Sequence, residues 1–270
     1  MRVCLESRAG SALRPGPARR HNEDWAMALP EAVVVLDGAG TPPEVRTGCT
    51  HGAAWYVRSL GALLAAGLSK GEAPLAEVLA ESISDLAAAH GRDCDTTHPG
   101  SPSATVAMLR RRGGTVDYLV LCDAIVLLDL DGAVEAVSDD RCHRIPVAPG
   151  HTPETAPESI RQAQRLRNTP SGFWVASTDP EAAHQALAGS VTAHRLRRAA
   201  LLSDGAGRLV TLFHAADWAH TMDLLEAGGP RALLDVVRRH ESADPDCVRW
   251  PRLKRHDDAT AVWCLPGGED

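Results

Sequence analysis

The chain has 270 residues, 44% apolar and 23% charged, with 23 glycines and 18 prolines, the balance of an ordinary folded protein and not of collagen, a coiled coil or a disordered chain. Its net charge of −7 leaves no basic face for nucleic acid or anionic lipid. The most apolar stretch, Val116 to Val137, is broken by Asp117, Asp123, Asp129 and Asp131, short of the roughly 20 unbroken apolar residues that a bilayer span requires.

In chain order, Val33 to Leu36 is a β-branched run that stops at Asp37-Gly38-Ala39-Gly40, a strand ending in a turn. Ala53, Val57, Leu60 and Leu64 recur at helical spacing, as do Leu75, Leu79, Ile83 and Leu86, which stop at Gly91. Four apolar runs follow: Thr105 to Leu109, Val116 to Leu121, Ile125 to Leu130 and Val134 to Val137. Gly113-Gly114 and Asp131-Gly132 supply tight turns, so the pattern predicts an antiparallel meander. Pro146 to Gly172 reads as a surface excursion with one short helix. Phe173 to Ala176 and Leu201-Leu202 read as strands, Trp218 to Ala227 and Arg231 to His240 as helices divided by Gly228-Gly229-Pro230, and Ala259 to Leu265 as a closing strand. Paired helices interleaved with antiparallel strands predict an α+β fold with sheets packed under helices. The sequence contains no G-x-G-x-x-G or Walker loop.

Of the seven cysteines no two lie closer than Cys247 and Cys264, which excludes a C-x-x-C zinc or redox pair and suits reduced thiols. Met1 to Gly10 lacks the apolar core of a signal peptide, so a cytoplasmic location is expected.

The aspartates fall at strand ends. Asp24 follows Asn22-Glu23 before a strand, Asp37 ends a strand, Asp204 ends Leu201-Leu202-Ser203, and Asp257-Asp258 precede the last strand. Carboxylates gathered at sheet ends stay charged together only when cations neutralise them, and Mg²⁺ or Mn²⁺ takes such oxygen ligands. Asp-Gly is also an ordinary turn.

The order of motifs carries further. Arg19-Arg20-His21-Asn22-Glu23-Asp24, Val35-Leu36-Asp37-Gly38-Ala39-Gly40, Pro102-Ser103-Ala104-Thr105 leading to Leu121-Cys122-Asp123, Ser203-Asp204-Gly205 and Asp257-Asp258-Ala259-Thr260 follow one another. This series resembles the metal-dependent type 2C Ser/Thr protein phosphatases of bacteria, from about Arg19 to Leu265. The resemblance implies one phosphatase domain over residues 1–270, an α+β sandwich of two packed antiparallel sheets flanked by helix pairs, and a flap-like excursion at about 140–172. It implies two Mn²⁺ or Mg²⁺ ions and a weaker third. Asp37 would bridge two metals with the Gly38 carbonyl beside it. Asp204 and Asp257 would hold one, Asp24 with Glu23 the other largely through water, and Asp123 with Asp204 the third. Arg19 would clamp the substrate phosphate. A bridging water, its pKa lowered by two cations, would attack phosphorus in line without a phosphoenzyme.

Three departures stand out. Ala39 replaces the eukaryotic His, as in many bacterial members. Cys122 and Ala124 flank Asp123 in place of Gly and Ser, and the flap segment matches no known pattern. His51 is a candidate acid or phosphate contact, although a residue there more often caps or packs. Its neighbour Cys49 suggests a Cys/His nucleophile, which the metal chemistry makes superfluous. Asp93-Cys94-Asp95 and His98 read as a polar loop without metal-ligand spacing. The expected substrate is a phosphorylated protein, with a small phosphate ester or a non-catalytic regulatory role as alternatives. A monomer without nucleic-acid or membrane partners is expected.

Overall fold

The computed structural model describes residues 1–11, 21–39, 41, 45–71, 73–91, 94–145 and 156–266. One sheet is built from β2 (Asp24–Ala28), β3 (Ala32–Gly38), β4 (Ala104–Arg112), β5 (Thr115–Leu121) and β8 (Leu187–Thr192), adjacent in that order. The other has the order β1 (Arg2–Arg8), β10 (Ala259–Leu265), β9 (Leu196–Leu202), β6 (Ile125–Leu130), β7 (Ala133–Val137). All the pairings are antiparallel. The first sheet carries α1 (Ala53–Lys70) and α2 (Leu75–Ala89), and the second α4 (Asp204–Thr211) and α5 (Trp218–Ala243); α3 (Ala156–Leu166) lies on the excursion. No helix among the described residues is long and apolar enough to cross a membrane.

Strand alternation decides which core each side chain joins. On β3, Val34 and Leu36 pack under α1 and α2 with Val106 and Met108, while Val33 and Val35 face the other sheet with Ala107 and Leu109. On β6, Val126 and Leu128 enter that middle layer, and Ile125 and Leu127 pack beneath α5 with Leu233 and Val237. Continuous apolar runs thus reflect burial on both faces.

The expected meander is divided between the sheets. β4 pairs with β5 in one and β6 with β7 in the other, so the chain changes sheets at Cys122-Asp123. Cys122 takes a left-handed φ of 64° to turn that corner. A run buried on both faces does not record which sheet it belongs to, which is why apolar patterning missed the crossing. Phe173 to Ala176 forms only isolated bridges to Arg167 and Ala104 in place of a regular strand. β1 and β8 lie at sheet edges with exposed, mixed sequences that offer no apolar run. The two predicted C-terminal helices form α5, kinked at Gly229, whose φ is +70°.

This layering predicts a sharp contrast. Met108→Ala empties a fully buried position and should cost about 2–5 kcal/mol, whereas Leu5→Ala, 47% exposed on edge strand β1, should stay within about 0.5 kcal/mol. Urea unfolding of both variants checks it.

Candidate active site

Antiparallel pairing of β2 with β3 sets Asp24 directly opposite Asp37. The end of β9 and the start of β10 reach the same place: the Ser203 amide donates to Thr260 O (3.0 Å), the Thr260 amide to Ser203 Oγ (2.9 Å), and Ser203 Oγ to Asp24 Oδ2 (2.9 Å). Asp204 follows Ser203 at the first turn of α4. A Cβ at Gly205 would collide with the backbone of Asp258, so the Asp-Gly pair is required for α4 to sit against the segment carrying Asp257. At Gly38 a Cβ would lie 2.8 Å from Glu23 O, the atom that accepts the Gly38 amide at 2.9 Å. Asp258 braces the N-terminal segment, accepting from the Gly10 amide (2.6 Å) and the Glu23 amide (3.4 Å).

The result is a set of carboxylates that raise one another's proton affinity. Burial pushes Asp24 up to about 7, offset only in part by the hydroxyls of Thr260 and Ser203. Burial and then the charges of Asp24, Asp204 and Asp257 hold Asp37 well above the usual carboxylate range. Asp204 is raised by burial and Asp257, against Arg208. Asp123, at the corner between the sheets, is pushed to about 6 by burial and Asp204. Asp24 Oδ1 is enclosed and, among the described residues, accepts no hydrogen bond. A hard divalent cation supplies what such a set lacks, so the donors fit Mg²⁺ or Mn²⁺.

Of the sequence-predicted residues, the structure therefore brings Asp24, Asp37, Asp204 and Asp257 together. It sets Glu23 and Gly38 beside them through the backbone, and Asp123 within reach of Asp204. Arg19 and Gly40 lie outside the described residues, as do Asp93 and the excursion's central residues 146–155. His51 sits apart from this group in a cluster with Cys49, His90 and Cys94. The excursion begins in a 3₁₀ turn, Asp140–Arg144, that sets Cys142 Sγ and His143 Nε2 each 3.5 Å from Asp123 Oδ2. These contacts to the Asp123 carboxylate come from residues that no motif singled out.

Sequence reasoning also missed the cations behind Asp257. Arg208 donates to one of its oxygens and Lys254 Nζ to the other at 2.7 Å. Arg208 is tied in turn to Glu241, a fully buried residue that also binds Arg238 (2.6 Å) and His256 (2.9 Å). The spacing of Asp204 and Arg208, four apart on α4, was a usable signal. Glu241, on a distant helix, gave none.

A model of the family described as protein phosphatase 2C matches residues 21–236. The chain belongs to this family. It is a metal-dependent protein Ser/Thr phosphatase, as the family implies. Similar solved structures include the Mycobacterium tuberculosis serine/threonine phosphatase PstP/Ppp, 16% identical with a TM-score of 0.58 and 99% of each chain covered. Another, the PstP catalytic domain in complex with two manganese ions, is 16% identical with a TM-score of 0.56, covering 97% of this chain and 96% of that one. Staphylococcus aureus Stp1 is 13% identical with a TM-score of 0.58, covering 98% and 95%. At these identities the structures share the fold: two antiparallel sheets between helices. No curated protein matches the sequence.

Two outcomes follow for this phosphatase 2C member. Glu241→Ala leaves Arg208 and Arg238 without their buried partner and should cost about 3–5 kcal/mol in urea unfolding; a loss under about 1 kcal/mol would contradict the network. In metal-free protein, the raised carboxylates bind more protons folded than unfolded, so stability should fall as pH rises from about 4 to 7. His90, held low by burial, opposes this, and so at the acid end do Asp117 and Asp244, where burial is outweighed by their arginine partners. Melting curves with and without Mg²⁺ check it, the ion flattening the slope.

Proposed function

We propose that the protein hydrolyses phosphoserine and phosphothreonine monoesters in other proteins, using two Mn²⁺ or Mg²⁺ ions held by Asp24, Asp37, Asp204 and Asp257. The observation that carries this reading is the convergence of these carboxylates, with raised proton affinities at Asp24, Asp37 and Asp204 and an unsatisfied Asp24 oxygen. When bound, the divalent cations supply Lewis acidity that lets water act as nucleophile at neutral pH.

The chain's own residues do the rest. Asp37 contributes at the centre of the set, with the Gly38 carbonyl and Glu23 alongside. Arg208 and Lys254 hold Asp257 in one rotamer, so its carboxylate enters the site oriented. Asp123 with Asp204 is the third, weaker position, since the Asp123 carboxylate also meets Cys142 and His143. Arg19, which lies outside the described residues, takes two phosphate oxygens with its guanidinium fork. Ala39 carries no proton for the leaving group, which therefore takes one from solvent. The whole chain serves as one phosphatase domain acting in the cytoplasm.

The test is hydrolysis of phosphopeptides and of p-nitrophenyl phosphate. Activity should require Mn²⁺ or Mg²⁺, stop on chelation, and vanish in Asp37→Asn and Asp204→Asn while both variants stay folded; turnover that survives thorough chelation would sink the reading. Arg19→Ala should chiefly raise KM, lowering kcat/KM by about one to two decades, as expected for a charge-assisted bond of roughly 1.5–3 kcal/mol. Arg20→Ala, at a position to which the resemblance assigns no phosphate contact, should leave the kinetics nearly unchanged.

A further inference from the structure

The ends of α1 and α2 carry a second group of ligands, chemically unlike the carboxylates. Cys49 and His51 precede the first turn of α1, His90 caps the end of α2, and Cys94 lies beyond Gly91, whose φ is +84°. Cys49 Sγ lies 3.6 Å from Cys94 Sγ, 3.5 Å from His51 Nδ1 and 2.9 Å from His90 Nε2, and Cys94 Sγ lies 3.4 Å from His51 Nδ1. All four ligand atoms lie within 4.8 Å of one another.

These separations have a simple geometric meaning. Zinc bonds of about 2.3 Å to sulfur and 2.0–2.1 Å to nitrogen, arranged tetrahedrally, put ligand atoms roughly 3.3–3.8 Å apart. Three of the four distances fall in that range, and the fourth is shorter by a few tenths of an ångström. We propose that Cys49, His51, His90 and Cys94 form a structural Zn²⁺ site. Two thiolates and two neutral imidazoles balance the ion's charge, and a tetrahedral S₂N₂ set selects zinc over the hard cations suited to the aspartates.

The surroundings hold the ligands in place. Trp55 stacks on His51 with centroids 4.2 Å apart and meets His90 edge-on at 4.9 Å. The two ligand loops are joined by the Asp95 amide, which donates to Gly48 O at 2.8 Å. An open cavity lined by Thr47, Gly48, Cys49 and Thr50 adjoins the site at Cys49. The spacings C-x-H and H-x₃-C stand 38 residues apart between His51 and His90, so neither half reads as a zinc motif alone. Helix α1 packs by Ala53 and Val57 on Gly38, so the site clamps the structure behind the Asp37 turn.

Cobalt distinguishes this centre from the phosphatase metals, because only sulfur ligands give a thiolate-to-cobalt charge-transfer band. Metal-free, reduced, full-length protein titrated with Co²⁺ should develop that band, saturating at a single equivalent and bleached by Zn²⁺. Asp37→Asn and Cys142→Ser should retain it, Cys49→Ser and Cys94→Ser should each weaken it, and the double variant Cys49→Ser/Cys94→Ser should lose it. Zn²⁺ should also raise the Tm of the Asp37→Asn variant. Should the serine variants fail to fold, the wild-type titration still decides. Absence of the band in wild type at excess Co²⁺, its loss in Cys142→Ser with retention in Cys49→Ser/Cys94→Ser, or a Cys49–Cys94 disulfide that persists after reduction in the presence of Zn²⁺ would overturn the assignment.

Discussion

Buried like charge is the constraint around which this phosphatase is organised. Asp24, Asp37, Asp204 and Asp257 come from strand ends on both sheets and repel across a site that burial dries. Left to themselves such groups neutralise by taking up protons. The sandwich holds them together because each belongs to backbone that is fixed for other reasons: ladder pairing for Asp24 and Asp37, and close helix-on-loop packing at Gly205 for Asp204 and Asp257. The folding energy of three apolar layers opposes the repulsion, and the site keeps an affinity for cations as a result.

Not every carboxylate is left to a metal. Asp257 has Arg208 and Lys254, and through Arg208 it joins Glu241, Arg238 and His256 in a buried ionic network. Fixed cations behind Asp257 limit its rotamers, while Asp24 retains an oxygen with no partner among the described residues. One carboxylate is thus oriented by the protein and another is available to an ion. The Cys/His group between α1 and α2 is separate chemistry, with soft donors where the aspartates are hard.

Much of this was legible in the residues and some was not. Strands with continuous apolar runs, such as β3, β4 and β6, declared themselves, as did the helical spacing of α1 and α2. The edge strands β1 and β8 did not, because one exposed face and mixed polarity leave no pattern. Asp24, Asp37, Asp204 and Asp257 could be named from motif order, but their convergence belongs to the pairing of the strands. The sheet change at Cys122 left no trace, since a strand buried on both faces looks alike in either sheet. Cys94 and His90 read as a polar loop and a helix end because their partners, Cys49 and His51, lie some forty residues earlier.

The pairing of β1 with β10 bears on synthesis as well as on the finished fold. Arg2 stands opposite Leu265 and Arg8 opposite Ala259, so β1 finds its neighbour only when β10 is made. Until then β1 is an unpaired edge, and β9 lacks one of its two neighbours. Asp257 and Asp258 emerge just ahead of β10, so the carboxylate set closes at the same moment. A nascent chain on the ribosome therefore passes through most of its length without a metal centre and with a sheet open on one side. Pairings of such long sequence separation form slowly and expose edges to aggregation while they wait. Production of this protein should accordingly be sensitive to the elongation of the segment carrying β10 and to chaperones that shield strand edges.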